Sequence, residues 1–157
     1  MERKILVVYY SRTGVTKKVG QAIAGALGCE QEEIIDRRDR MGPAGYMGAG
    51  RDAMLKRLTE IAPIKKDPSQ YNLVIIGTPV WAFTMSAAIR TYLARNRDKF
   101  NSVAFFCTEG GSGGRRTFRE MEVICGKQPV AVLELTQNEV LRNKFSDKLN
   151  TFTASLK

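Results

Sequence analysis

Three clusters in this chain have residue types and spacing that could do chemistry. The first is Ser11-Arg12-Thr13-Gly14-Val15-Thr16, where three hydroxyls and a glycine follow an apolar run and lead into an amphipathic stretch. A turn that leaves a strand and opens a helix presents free backbone N–H groups, and the helix dipole adds positive potential there. Hydroxyl donors, with a glycine that lets the backbone come close, suit such a turn to a phosphate group. The second cluster is Thr78-Pro79-Val80-Trp81-Ala82-Phe83-Thr84, an aromatic-flanked exit from another apolar run. The third is Thr108-Glu109-Gly110-Gly111-Ser112-Gly113, a stretch of accessible backbone donors and acceptors behind a further apolar run. Together they describe a phosphate cradle, an aromatic wall and a backbone wall. A flat aromatic ligand with a phosphate tail would fit all three.

Each of these residues also has a plainer reading. Ser11 could do no more than cap the first helix. Trp81 could be a core tryptophan, although its place after Pro79 at a strand exit favours contact with a flat ligand. Arg12 could meet the phosphate or point into solvent. Glu109 reads first as a solvated loop carboxylate. Cys107 reads as a packed thiol rather than a nucleophile.

Other motif matches mislead. Residues 110–114 fit the G-x-S-x-G pattern of a nucleophile elbow. The chain has no histidine, so Ser112 lacks the usual base, and hydrolase triads, Cys-His pairs and nearly all zinc sites fall away together. Residues 48–53 fit G-x-G-x-x-A, but no convincing strand immediately precedes them. The spacing from Cys107 to Arg115 is too long for a cysteine phosphatase loop.

The elements that must position these clusters can be read from periodicity. Five β-rich runs, at 5–10, 33–36, 73–77, 103–108 and 130–135, alternate with helical patterns. Several are apolar on consecutive residues, as expected for strands covered on both faces of a parallel sheet. Helical stripes fall at Val15, Val19, Ala22, Ile23 and Ala26, then at Met54, Leu55, Leu58 and Ile61. Others fall at Met85, Ala88, Ile89, Tyr92 and Leu93, at Phe118, Met121 and Cys125, and at Leu141, Phe145, Leu149, Phe152 and Leu156. Asn138 reads as a cap for the last of these. The Gly-rich, basic stretch 37–50 reads as a long functional loop ahead of the second helix. The expectation is one α/β domain, a doubly wound three-layer sandwich around a five-stranded parallel sheet. In such a sheet, ligands bind beyond the carboxyl ends of the strands where strand order reverses.

With those three clusters at those strand exits, the chain resembles the flavodoxin-like family of FMN-binding proteins. The resemblance spans nearly the whole chain and is to the short-chain type, since no large insertion interrupts 130–135. It implies non-covalent FMN, with Ser11, Thr13, Gly14, Thr16 and the backbone of Arg12 and Val15 on the phosphate. It also implies that Thr78, Pro79, Val80, Trp81, Ala82, Phe83 and Thr84 flank the ring. Thr108, Glu109, Gly110, Gly111, Ser112 and Gly113 would then meet the ring's polar edge. No catalytic side chain or metal is implied. Many flavodoxins stack an aromatic from this last loop on the outer ring face. Residues 108–114 contain none, so that face is expected to be open or covered by Tyr46.

Binding FMN leaves the function open. A flavodoxin-type electron carrier needs an exposed ring edge and a docking partner. A small NAD(P)H- or quinone-linked reductase needs room above the ring. An interaction module would use the fold without flavin. The net charge is +9, with basic residues spread from Arg3 to Lys157 and no long run, so nucleic acid is not expected. Flavodoxins are usually acidic. A basic one should prefer acidic redox partners and hold reduced flavin at a less negative potential. Three separated cysteines without a C-x-x-C suggest free thiols, and the short first apolar run suits neither a signal peptide nor a membrane span. A cytoplasmic protein is the resulting expectation.

Overall fold

The computed structural model describes residues 3–38, 40–54 and 57–157, with the backbone alone at 53 and 54. Strand β1 (Ile5–Tyr9) leads through α1 (Val15–Leu27) to β2 (Glu30–Glu33) at the sheet edge. The chain then returns through α2 (Gly42–Met54) to β3 (Leu73–Trp81), which folds back as a hairpin into the short β4 (Thr84–Met85). Helix α3 (Ala87–Arg95), β5 (Ser102–Glu109), α4 (Gly114–Cys125) and β6 (Val132–Thr136) follow, and α5 (Gln137–Leu141) and α6 (Ser146–Ala154) close the chain. Five strands run parallel in the order β2-β1-β3-β5-β6, and β4 pairs antiparallel with the far end of β3. This is a flavodoxin-like sheet, and its strand order reverses between β1 and β3.

Successive residues of a strand point to opposite faces, so unbroken apolar runs feed two cores at once. Leu6, Val8, Val74, Ile76, Val103, Phe105 and Cys107 pack on one face against Ile89, Tyr92 and Leu93 of α3 and Phe118 and Met121 of α4. Val7, Tyr9, Leu73, Ile75, Ala104 and Phe106 pack on the other face against Val19 and Ile23 of α1, Val140 of α5 and Phe152 of α6.

The second strand lies at Glu30–Glu33, three residues earlier than its apolar residues suggested. It is an edge strand paired to β1 alone, from Leu6 opposite Glu30 to Tyr9 opposite Glu33. Its side chains are satisfied by polar partners instead of a core. The Glu32 carboxylate accepts from the N–H of Lys65 (2.7 Å) and Lys66 (3.0 Å), and Tyr9 Oη donates to Gln31 (3.0 Å).

The stretch read as a loop contains α2. Pro43 sits in its first turn, where the missing N–H costs nothing. The stripe read as the second helix is therefore displaced. Leu55 lies outside the described residues, as does the side chain of Met54. Leu58 is exposed beyond the helix, and Ile61 is buried through a bridge to Asp36. In α1, Ala24 rather than Ala26 joins the buried stripe. Met85 belongs to β4, and Ser86 caps α3 by accepting from the Ile89 N–H at 3.3 Å. The C-terminal pattern is two helices. Thr136, not Asn138, caps the first in a capping box with Glu139. Asn143 then takes a left-handed conformation (φ 55°) that separates the two.

Candidate functional site

Strand register brings the three clusters together. Tyr9 pairs with Gly77, and Tyr10 continues with its N–H on the Gly77 carbonyl at 3.3 Å. Pro79 pairs with Thr108. Ser11, Pro79 and Thr108 therefore leave the sheet side by side at its carboxyl edge, at the reversal of strand order. They converge on a cleft of about 140 Å³ whose walls include Ser11, Thr13, Thr16, Trp81, Thr108 and Glu109.

The 11–16 loop ends at Gly14, which takes φ 98° immediately before α1 and provides no side-chain cap. The first intrahelical bond runs from Lys18 N–H to the Gly14 carbonyl, so the N–H groups of Val15, Thr16 and Lys17 have no acceptor within the helix. Ser11 Oγ accepts from Gly14 N–H at 3.0 Å, which leaves its own proton available. Gly113 opens α4 in the same manner at φ 104°. Two helix N-termini thus meet the carboxyl edge of the sheet without a capping side chain.

Several expected ligand hydroxyls have structural partners. Thr16 Oγ1 and Thr108 Oγ1 are 2.8 Å apart in a buried bond that ties α1 to β5. Thr78 Oγ1 accepts from Ser86 N–H at 3.0 Å and fixes the β3–β4 hairpin. Thr84 is buried and bonded to Glu120 and Arg90. Glu109 is not solvated; it ends β5 as a buried residue. Arg12 neither faces open solvent nor stands alone. Its Nε donates to the Arg40 carbonyl (2.7 Å), and its guanidinium lies 5.3 Å from the Tyr46 ring centre. Gly110 lines the cleft, whereas Gly111, Ser112, Gly113 and Phe83 lie outside its lining.

Trp81 meets Tyr10 edge-to-face, with ring centres 5.4 Å apart. Together with Val80 and Tyr46 it lines both the cleft and a larger neighbouring cavity of about 910 Å³. That cavity is bounded by Ala44, Met47 and Ala49 of α2 and by Ala82, with Arg38 and Arg51 as charged members. Tyr46 is 66% and Met47 73% exposed, and both line this cavity.

Helix α2 is fixed by a buried charge network. Arg40 contacts Asp36 (3.0 Å) and Asp52 (2.6 Å), and Arg38 reaches Asp52 at 2.8 Å. Burial pushes the Asp52 carboxyl up, but the hydrogen bond and charge of Arg40, with Arg38 and Arg57, outweigh it and hold the carboxyl below its ordinary range. The Arg40 guanidinium also lies 5.9 Å from the Trp81 ring centre.

The α2 wall and Gln137 are site elements beyond the three sequence clusters. The Thr136-to-Glu139 capping box was the available signal for Gln137, because it opens a helix at the exit of β6 beside β5. Among the described residues no group of three or more His, Cys, Asp or Glu could hold a metal ion.

An open parallel sheet with uncapped helix N-termini and an aromatic wall at its switch point defines an α/β protein built for a phosphorylated aromatic ligand. A flavodoxin family model matches residues 51–151, more than half of the chain, and the chain belongs to that family. It is similar in structure to a flavoprotein from Lactobacillus acidophilus NCFM solved in complex with FMN, at 24% identity and a TM-score of 0.74, over 90% of this chain and 98% of that one. A crystal structure from Bacteroides eggerthii DSM 20697 matches at 21% identity and a TM-score of 0.75, over 96% and 98%. Two-electron reduced flavodoxin from Megasphaera elsdenii matches at 14% and 0.60, over 98% and 99%. These likenesses are of fold.

Proposed function

We propose that this chain binds FMN non-covalently at the switch-point cleft and acts as a flavodoxin-type electron carrier. The observation that carries the reading is the register that sets Ser11, Pro79 and Thr108 side by side around uncapped helix N-termini. The residues fit the group. Free N–H groups at 15–17 and the Ser11 and Thr13 hydroxyls would hold the phosphate, and Pro79 to Trp81 would flank the ring. Thr108 to Gly110 would meet the ring's polar edge. The bound flavin would supply one- and two-electron transfer. The chain's contribution is position, exclusion of water and electrostatic environment.

The cavity of about 910 Å³ behind Trp81 favours a second reading, a small FMN-dependent reductase. It is large enough for a second flat molecule, such as a nicotinamide or a quinone, and its arginines suit an anionic one. One experiment separates the readings. FMN added to the apo-protein should lose its fluorescence on binding. NADH or NADPH is then added without oxygen. Yellow absorbance that persists supports the carrier, and rapid bleaching supports the reductase. Unquenched FMN overturns both and leaves an interaction module.

A further inference from the structure

Glu109 ends β5 where the strand reaches the cleft, and it lines that cleft beside the 11–16 loop. The residue is only 4% exposed. On the adjacent strand Glu134 pairs with Cys107, two residues before Glu109 and on the same face of the sheet. Register thus sets Glu109 and Glu134 as diagonal neighbours on that face, a spacing that long side chains can bridge. The start of α4 presses on this pair. A Cβ at Gly114 would collide with the Glu134 carboxyl, so the absence of a side chain there makes room for it.

Two ionised carboxylates offer acceptors only. In that state Glu109 Oε2 is buried without a donor, and the like charge of Glu134 stands beside it at the protein surface. Neither carboxyl pairs with a lysine or arginine among the described residues. One proton removes both penalties, because the protonated oxygen donates to the other carboxylate. We propose that Glu109 and Glu134 share a single proton in the folded protein, and that this pair couples proton uptake to the binding of an anion in the cleft.

The surroundings agree. Burial first, then the charge of Glu134, hold the Glu109 carboxyl above its ordinary range; Glu139 at the start of α5 adds to this, and the Gly114 N–H acts against it. Glu139 is itself paired to Lys148 at 2.9 Å. The nearby Cys107 thiol is pushed up by burial and stays neutral. Glu134 is exposed, so the shared proton can exchange with bulk water. The coupling rests on the proposed cofactor site. A phosphate-bearing ligand adds negative charge beside the pair and raises its hold on the proton. By linkage the protonated pair binds that anion more tightly.

The test begins on the apo-protein, with carbon-13 NMR titration of labelled glutamate carboxyls in wild type, Glu109→Gln and Glu134→Gln. One wild-type carboxyl should keep its proton well above the ordinary range; Glu109→Gln should abolish that signal and Glu134→Gln should lower it, and a signal that Glu134→Gln leaves unmoved overturns the sharing. FMN affinity is then measured by fluorescence quenching across pH in wild type and Glu109→Gln. The ligand's own phosphate ionisation affects both alike, so the ratio of affinities reports the pair. Wild type should lose affinity relative to the variant as pH rises, by at most about tenfold per pH unit. Ordinary titration of both carboxyls overturns the shared proton, and a constant ratio overturns the coupling. If FMN does not bind at all, the cofactor reading fails instead. The carboxyl titration then decides the shared proton alone, and inorganic phosphate replaces FMN in the coupling measurement.

Discussion

Gly14 shows how one backbone angle governs the anion loop. Nothing lies within 4 Å of where its Cβ would stand, so Gly14→Ala meets no steric obstacle. The cost is conformational, because φ 98° resists a side chain by about 1 kcal/mol or more. We expect Gly14→Ala to lower thermal stability slightly and FMN affinity about tenfold, a change of roughly 1.4 kcal/mol, as the loop re-aims its N–H groups. A melting curve and a quenching titration check both, and unchanged affinity would argue that the loop does not hold the phosphate. The loop was legible because its chemistry is local: hydroxyls and a glycine between a strand and a helix. The fate of each hydroxyl was not. Thr16, Thr78 and Thr84 carry the expected chemistry, yet their directions depend on which face of a helix or pleat meets a neighbour. Glu109 was misread for the same reason, since β5 runs one residue further than its apolar stretch and turns that side chain inward.

Helix α2 depends on charge more than on propensity. Asp52 is buried and joined to Arg40 and Arg38, so Asp52→Asn leaves Arg40 with one carboxylate fewer in a dry place. Breaking such a pair costs about 3 kcal/mol. The sign with pH follows from the depressed carboxyl. Its contribution is complete above the ordinary carboxylate range and is lost as pH falls through the folded value. The penalty of Asp52→Asn, read by denaturant melts, should therefore shrink in acid, with faster amide exchange across 42–54. An equal penalty at all pH values would contradict this. The element was illegible because Gly42, Gly45, Gly48 and Gly50 depress helix propensity, and its supporting contacts join residues far apart in sequence. The stripes of α1, α3 and α4 and the apolar strands were legible because their signals are local and periodic, whereas the cap of α5 and its break from α6 were not.

For the whole molecule, the alternation of strands and helices was sufficient to anticipate the doubly wound sheet. The reversal point then located the cleft. What composition adds is the field. At +9 the protein should stabilise added negative charge. Potentiometry of the FMN-loaded protein should give a less negative reduction potential than acidic relatives show, and a potential in their range would refute this. Association with an acidic redox partner should slow as salt rises, because screening shortens the reach of that field. Stopped-flow rates independent of salt would exclude it. Against this positive surface β2 is an edge strand carrying Glu30, Glu32 and Glu33, held by Lys66, by the Lys65 and Lys66 N–H groups and by Lys17 in turn. Unpaired strand edges invite copies of a chain to zip together. Here a second copy arriving at that edge would have to part these pairs before carboxylate met carboxylate, so the least apolar strand of the sheet guards the protein against aggregation.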